Sequence, residues 1–264
     1  GSKDGQESVS SSQIPDYDGE MTIVLDNNEP DFDPDDLTEK SYESYSELDE
    51  EGRCQAAEAC VGKDIMPTED RGAIGMVKPT GWHTVKYDNV DGKYLYNRCH
   101  LIAFQLTGEN ANRKNLITGT RSFNVDGMLP YEEMVGDYVR ETGNHVLYRV
   151  TPVFEGDDLV AKGVQMEAMS VEDEGEDIEF NVFVYNVQDG IEIDYETGES
   201  RLSSEKEDTT EASSKEEEIR GNRRSKVYHC PGQRDYEKMA DSKNLVIFHS
   251  EKEAQAAGYR KAQR

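Results

Sequence analysis

No stretch of 18 or more apolar residues occurs, which excludes a membrane-spanning helix. Cysteine is sparse: Cys54, Cys60, Cys99 and Cys230 form no C-x-x-C pair, so a structural zinc site is not expected. A disulfide among the first three stays open in an oxidising compartment. Apolar residues make up only 34% of the chain and charged residues 32%, the balance of a folded core diluted by solvated segments. Positive charge is scarce as well, with 29 Lys and Arg against 56 Asp and Glu and a net charge of -27. Such a chain cannot neutralise many phosphates along its whole surface. The deficit is uneven. From Arg220 to Arg264 there are 11 Lys and Arg against 5 Asp and Glu, a net +6, which leaves -33 for the residues before. The sequence has an acidic body and a basic tail.

A length of 264 residues suits one domain of intermediate size plus a small appendage. Residues 1–51 read as an acidic, partly disordered lead-in holding one short β-like run, Met21 to Leu25, and a turn at Asp26-Asn27-Asn28. Asp31, Asp33 and Asp35 lack the glycine and closing glutamate of a calcium-binding EF-hand loop. Residues 52–197 carry the main domain. There, His83–Tyr87 and Lys93–Tyr96 alternate as strands, the second delivering Asn97-Arg98-Cys99-His100. Strands are also expected over His145–Phe154, Leu159–Val171 and Ile178–Val187, together a twisted antiparallel sheet. Phe183, Tyr185 and Val187 require the last of these to be covered on both faces. Tyr131–Thr142 shows the stripe of a helix packed on a sheet (Met134, Val135, Tyr138, Val139), opened by Pro130 and closed by Gly143. Residues 198–219 are a Ser- and Glu-rich linker. Residues 220–264 regain order as a small basic α/β module, with a strand at Leu245–Phe248 and Ser250 capping a helix that stops at Gly258.

Chemistry concentrates between Tyr96 and Glu132. Cleaving a phosphodiester needs a water deprotonated and aimed in line, and charge on the phosphate stabilised. His100 offers a neutral imidazole for the first task. Asn115 and Asn124 offer neutral oxygens suited to a hard, hydrated cation, and Glu132 a carboxylate for waters around it. Arg98 and Arg121 are candidates for phosphate contact, and either could instead sit in an ion pair with nearby acids. Asn124 and Glu132 are eight residues apart, which in one unbroken helix sets them ~80° apart at ~100° per residue. Pro130 argues against that unbroken helix and assigns Asn124 to the preceding segment. On residue types alone, asparagines capping turns and a glutamate decorating a helix start remain the alternative.

Asn97-Arg-Cys-His100, with Asn115-Leu-Ile-Thr-Gly-Thr120, Asn124 and Glu132 downstream, resembles the DNA/RNA non-specific endonucleases of the ββα-metal (His-Me finger) class, and most their secreted bacterial branch of streptococcal DNases and the DNA-entry nuclease. The likeness covers roughly residues 52–190. It implies an α+β fold with a central twisted antiparallel sheet. It also implies His100 as general base, Asn124 as the direct Mg²⁺ ligand with Mn²⁺ able to substitute, Glu132 near the metal waters and Asn115 in support. The products implied are 5′-phosphate ends from DNA and also RNA, and the location implied is secreted or on the cell surface of a bacterium, a leader having been removed. The family's Asp-Arg-Gly-His becomes Asn97-Arg98-Cys99-His100 here; an Asn-Arg start is a familiar variant, and Cys99 reads as a partner for Cys54 or Cys60 or as a small buried filler. Two rivals follow from the same likeness: a catalytically inactive surface-binding module, and a toxin-type nuclease used in competition.

The tail, with Gly221-Asn-x-x-Ser-Lys-Val-Tyr-His229 and Ala256-Ala-Gly-Tyr-Arg-Lys261, resembles a module at the C-terminus of other secreted bacterial nucleases. It is also similar to Ada-type zinc modules, but Cys230 stands alone where four cysteines would be needed, so no zinc is expected. Its +6 charge suits a tether to DNA or to an anionic envelope.

Overall fold

A computed structural model describes residues 9–203 and 218–264. The chain divides into two compact units, one ending at Arg201 and the other beginning at Leu202. In the first unit the strands are β1 (Thr22–Val24), β2 (Tyr42–Tyr45), β3 (Ala57–Val61), β4 (Tyr96–His100) and β5 (Leu116–Thr120), then β6 (Val146–Val153), β7 (Gly163–Ser170) and β8 (Glu179–Tyr185). β9 (Ile191–Ile193) pairs with β10 (Ser200–Leu202). The helices are α1 (Phe104–Thr107) and α2 (Leu129–Thr142). Six strands form the main antiparallel sheet in the order β1-β8-β7-β6-β3-β2, and β4 and β5 form a separate two-stranded ladder. The architecture is α+β.

Alternation gives the main sheet two unlike faces. On one, Ala57, Ala59, Tyr148, Val150, Val164, Met166, Phe180, Val182 and Val184 join a core completed by Phe123, Met128, Val135 and Val139 of the helical layer. Tyr131 packs on Phe180 with ring centroids 5.0 Å apart. The opposite face carries the buried Arg149–Glu167 pair (2.9 Å) at its centre and Phe183 and Tyr185 toward one side. Phe183 and Tyr185 pack with Ile14, Ile23 and Leu25, so the last long strand is covered on both faces as the sequence implied.

That covering layer corrects the reading of residues 1–51 as a solvated lead-in, among the residues described. β1 pairs with β8 (Thr22↔Val184) and β2 with β3 (Tyr42↔Cys60), so this segment supplies both outer strands of the sheet. Between them the Asp31 N–H donates to Glu167 (2.7 Å), Arg149 donates to the Asp31 carbonyl (2.9 Å), and Asn181 donates to the Glu29 carbonyl (2.9 Å). Residues 1–8, the polar start of that lead-in, lie outside the described residues.

Other expectations shift locally. His83–Tyr87 is not a strand; one bridge, Lys86↔Tyr94, is all that forms. The helix does not begin at Pro130: the run is helical from Arg121 to Thr142, with a π-helical turn over Phe123–Met128 leading into α2. Pro130 stands in the first turn of α2, where a missing N–H costs least, so it does not break the run. Gly143 closes it at φ 75°, as expected. The cysteines are free: Cys54 points to the Arg113 and Leu116 carbonyls, Cys60 to the Thr38 carbonyl, and Cys99 is a fully buried filler beside Gly119 and Phe123. Most of the proposed linker, 204–217, lies outside the described residues.

In the second unit β11 (Ile219–Asn222), β12 (Val227–His229), β13 (Leu245–Phe248) and β14 (Arg260–Lys261) form a sheet in the order β13-β11-β12-β14, with α3 (Glu251–Ala256) packed on it. Ile219, Tyr228, Phe248, Ala254 and Tyr259 are its core. The Ser250 hydroxyl caps α3 by accepting the Glu253 N–H at 3.0 Å.

Candidate active site

The site grows from β4, β5 and the helix after them. Register pairs His100 with Leu116 and Asn97 with Gly119, and the chain then turns at Thr120, whose hydroxyl accepts the Phe123 N–H (3.0 Å) and starts the helical run. Along β4, Tyr96 and Cys99 face inward while Asn97, Arg98 and His100 stay partly exposed. Two antiparallel strands followed by a helix thus bring the end of β4 against the start of the run.

His100 donates from Nε2 to the Asn110 carbonyl at 2.8 Å. A carbonyl can only accept, so the proton sits on Nε2 and Nδ1 keeps the lone pair. Burial pulls the His100 pKa below the usual histidine range and Arg71 adds to this, against the Asn110 bond and Glu109. The imidazole is therefore held neutral near pH 7, as a base must be.

Asn115 is wholly buried and clamps Ile102, accepting its N–H (2.8 Å) and donating to its carbonyl (3.0 Å). It shapes the turn after His100, its amide oxygen engaged by the Ile102 N–H. Asn124 donates from Nδ2 to Asn97 Oδ1 at 3.1 Å, which directs its own Oδ1 away from that contact. The carbonyl of Asn124 accepts the Leu129 N–H five residues on, the bond that defines the π turn.

Glu132 is 6% exposed, and among the described residues its carboxyl accepts no hydrogen bond. Burial raises its pKa to about 8, with Arg71 opposing and Glu133 adding. Burial above all, and the Glu132 carboxylate second, pushes up the Tyr148 hydroxyl and the Cys99 thiol, and the Tyr148 hydroxyl has no hydrogen-bond partner among the described residues. A buried carboxyl without a hydrogen bond and an orphaned hydroxyl are polar groups that a hydrated hard cation would satisfy. No group of three or more His, Cys, Asp or Glu suited to a metal occurs among the described residues.

The arginines redistribute. Arg98 donates to the Val77 and Gly75 carbonyls and lies over the Trp82 ring at 4.0 Å, so it holds the 75–82 loop. Arg121 reaches Asp91 (3.7 Å) and gives its N–H to Leu95, neither of them a site residue. The sequence reading missed Arg71. It is exposed, rests over Phe104 at 5.5 Å, and acts electrostatically on both His100 and Glu132. Its loop is seated by Asn110, which donates to the Ala73 carbonyl (3.3 Å). Nothing local in Arg71-Gly-Ala-Ile signals this, because the placement depends on a contact between residues 73 and 110.

The sequence profile of the DNA/RNA non-specific endonuclease family matches residues 35–172, and the chain belongs to that family. Among solved structures it is similar to NucA from Streptococcus agalactiae with a magnesium ion bound, 30% identical over 68% of this chain and 86% of that one, with a TM-score of 0.60. It is also similar to the Sda1 nuclease with a bound zinc ion, 26% identical over 69% of this chain and 96% of that one, with a TM-score of 0.56. A curated deoxyribonuclease of Streptococcus dysgalactiae subsp. equisimilis is 34% identical over 110 residues, 40% of this chain and 32% of its own, so this chain spans about a third of that relative. Residues 202–261 match a second profile, ArfC.

Proposed function

We propose that the chain is a secreted, metal-dependent endonuclease that hydrolyses DNA, and RNA as well, with little sequence preference. The observation that carries the reading is the His100 Nε2–Asn110 bond, which leaves Nδ1 as a neutral base on the strand that also bears Asn97, the partner of Asn124. Nδ1 takes the proton of a water attacking phosphorus. Arg71 meets the charge that grows on the phosphate oxygens. Asn124 Oδ1 would hold the cation, with Glu132 orienting waters beside it; Mg²⁺ suits this donor set and Mn²⁺ can substitute. When bound, the ion supplies charge stabilisation at the leaving 3′ oxygen, which yields 5′-phosphate ends. Arg98 and Asn115 act by positioning, the first through the loop over Trp82 and the second through Ile102. Among the described residues no helix is long and apolar enough to cross a membrane, and the magnesium-bound NucA supports the choice of metal.

The test is digestion of plasmid, single-stranded DNA and RNA with Mg²⁺, Mn²⁺ or Zn²⁺, with EDTA, and with His100→Ala in parallel. Metal-dependent cleavage that falls by at least ~10²-fold in the variant is the expected result. Wild-type protein inert with every metal would overturn it in favour of an inactive binding module.

A further inference from the structure

Among its described residues the second unit has three cations paired with acids, three unpaired ones at Arg234, Lys252 and Arg264, and one cluster. Arg220 is paired with Glu218 (2.7 Å) and Glu237 (3.8 Å), Lys261 with Glu251 (3.0 Å) and Lys238 with Asp235 (3.8 Å). At the other end of the sheet the pairing stops. Asn222 lies opposite both Leu245 and Val227, and Val227 opposite Arg260, so the β11–β12 turn, the start of β13 and the start of β14 meet there. Backbone bonds tie them together: the Arg223 N–H to the Asn244 carbonyl (2.8 Å) and the Arg260 N–H to the Lys226 carbonyl (2.9 Å). That end exposes Arg223, Arg224, Lys226, Lys243 and Arg260, and among the described residues none of the five has an ion-pair partner.

The turn that carries three of them is stiff. Asn222 Oδ1 accepts the N–H of Arg224 (2.9 Å) and of Ser225 (3.2 Å), and Lys226 sits at φ 60° with its ammonium 4.9 Å from the Tyr259 ring centre. Cations held apart on a fixed loop, with no acids to quench them, complement a ladder of phosphates more than any single anion. The body of the chain, at -33, repels such a ladder, so a holding surface outside it has a purpose.

We propose that this end of the second unit binds the sugar-phosphate backbone of duplex nucleic acid without reading sequence, and so keeps long substrate near the nuclease unit through the intervening chain. The choice of nucleic acid over other polyanions rests on the nuclease reading above. The test uses the full chain in EDTA, where nothing is cut, and follows the anisotropy of a fluorescent duplex against salt. Arg223→Glu/Arg224→Glu is compared with Arg234→Glu/Lys238→Glu, an equal charge change at exposed positions outside this cluster. The first pair should raise Kd about tenfold and flatten the salt slope by about 1.8, for two lost phosphate contacts, at unchanged melting temperature. The second should do neither. Equal losses from both pairs, or none from the first, would overturn the site, as would tighter binding to phosphatidylglycerol vesicles than to duplex. Cleavage of a short oligonucleotide, measured separately with Mg²⁺, tests the nuclease reading, and its failure would leave a duplex-binding result standing.

Discussion

Asn97 and Asn124 are joined side chain to side chain, with Asn124 Nδ2 donating to Asn97 Oδ1 at 3.1 Å across the gap between β4 and the π turn. The bond fixes which end of the Asn124 amide faces outward. Asn97→Asp keeps an acceptor there and Asn97→Ala removes it. Activity titrated with Mg²⁺ should show the alanine variant needing about 10–100-fold more metal or losing that much rate, while the aspartate variant matches or exceeds wild type. Equal behaviour of the two would remove Asn97 from this role.

His100 is held below its ordinary pKa by burial and by Arg71. The rate should therefore rise with pH through a midpoint below ~6.5, the value of a free imidazole. Arg71→Ala should move that midpoint upward. The same sign governs stability: between the two pKa values the unfolded chain binds the extra proton, so the fold gains as pH rises through that window and loses as it falls. Rate profiles and thermal melts read the two effects separately.

Glu132 titrates the other way. Its folded pKa, raised by burial to about 8, means that metal-free protein loses stability as pH climbs from the unfolded carboxylate value toward 8. Glu132→Gln should raise the melting temperature in EDTA at pH 8, by a stabilisation on the order of 4 kcal/mol, and change little near pH 4.5. It should also abolish most cleavage. A variant no more stable at pH 8 than wild type would contradict the buried, unpaired carboxyl.

Arg71 and Arg98 should fail differently. Arg71 is exposed, so Arg71→Ala ought to cost ~10²-fold in rate with the melting temperature kept. Arg98 holds the Val77 and Gly75 carbonyls and covers Trp82, so Arg98→Ala should lower the melting temperature, and Arg98→Lys should restore little of it because a point charge cannot span both carbonyls. Paired melts and initial rates distinguish them.

Gly127 lies where a Cβ would come within 2.4 Å of Val184 Cγ1. Gly127→Ala should destabilise by about 1–3 kcal/mol and slow cleavage through displacement of the π turn that carries Asn124. Val184→Ala in the same chain should recover part of both, which a defect in helix propensity would not predict.

The site's skeleton was legible because its signals are local. A short strand ending in His100, a helix over Tyr131–Thr142 and Gly143 at its stop all express backbone preferences that neighbours in sequence set. Asn124, expected in the segment before the helix, lies inside the helical run. The π turn was not legible, since Pro130 signals a break and only the Leu129-to-Asn124 bond reveals how the run continues through it. Arg98 was assigned to phosphate contact from its position beside His100, yet its guanidinium donates to the Val77 and Gly75 carbonyls and lies over Trp82, partners that a loop remote in sequence supplies. β1 showed as the β-like run Met21 to Leu25, but β2 was hidden for another reason: an outer strand has one neighbour, so Tyr42–Tyr45 can be short and polar and still pair.

The two rims of the six-stranded sheet both come from the first 45 residues, yet β1 closes on β8, which ribosomes make some 160 residues later. Assembly therefore waits on a contact between distant parts of the polypeptide, a demand that slows folding. Until it is met, β8 presents an unsatisfied rim to any neighbouring copy. Proteolytic loss of the first 30 residues would recreate that rim in mature protein, and self-association into aggregates, before any chemical defect, would be its first symptom.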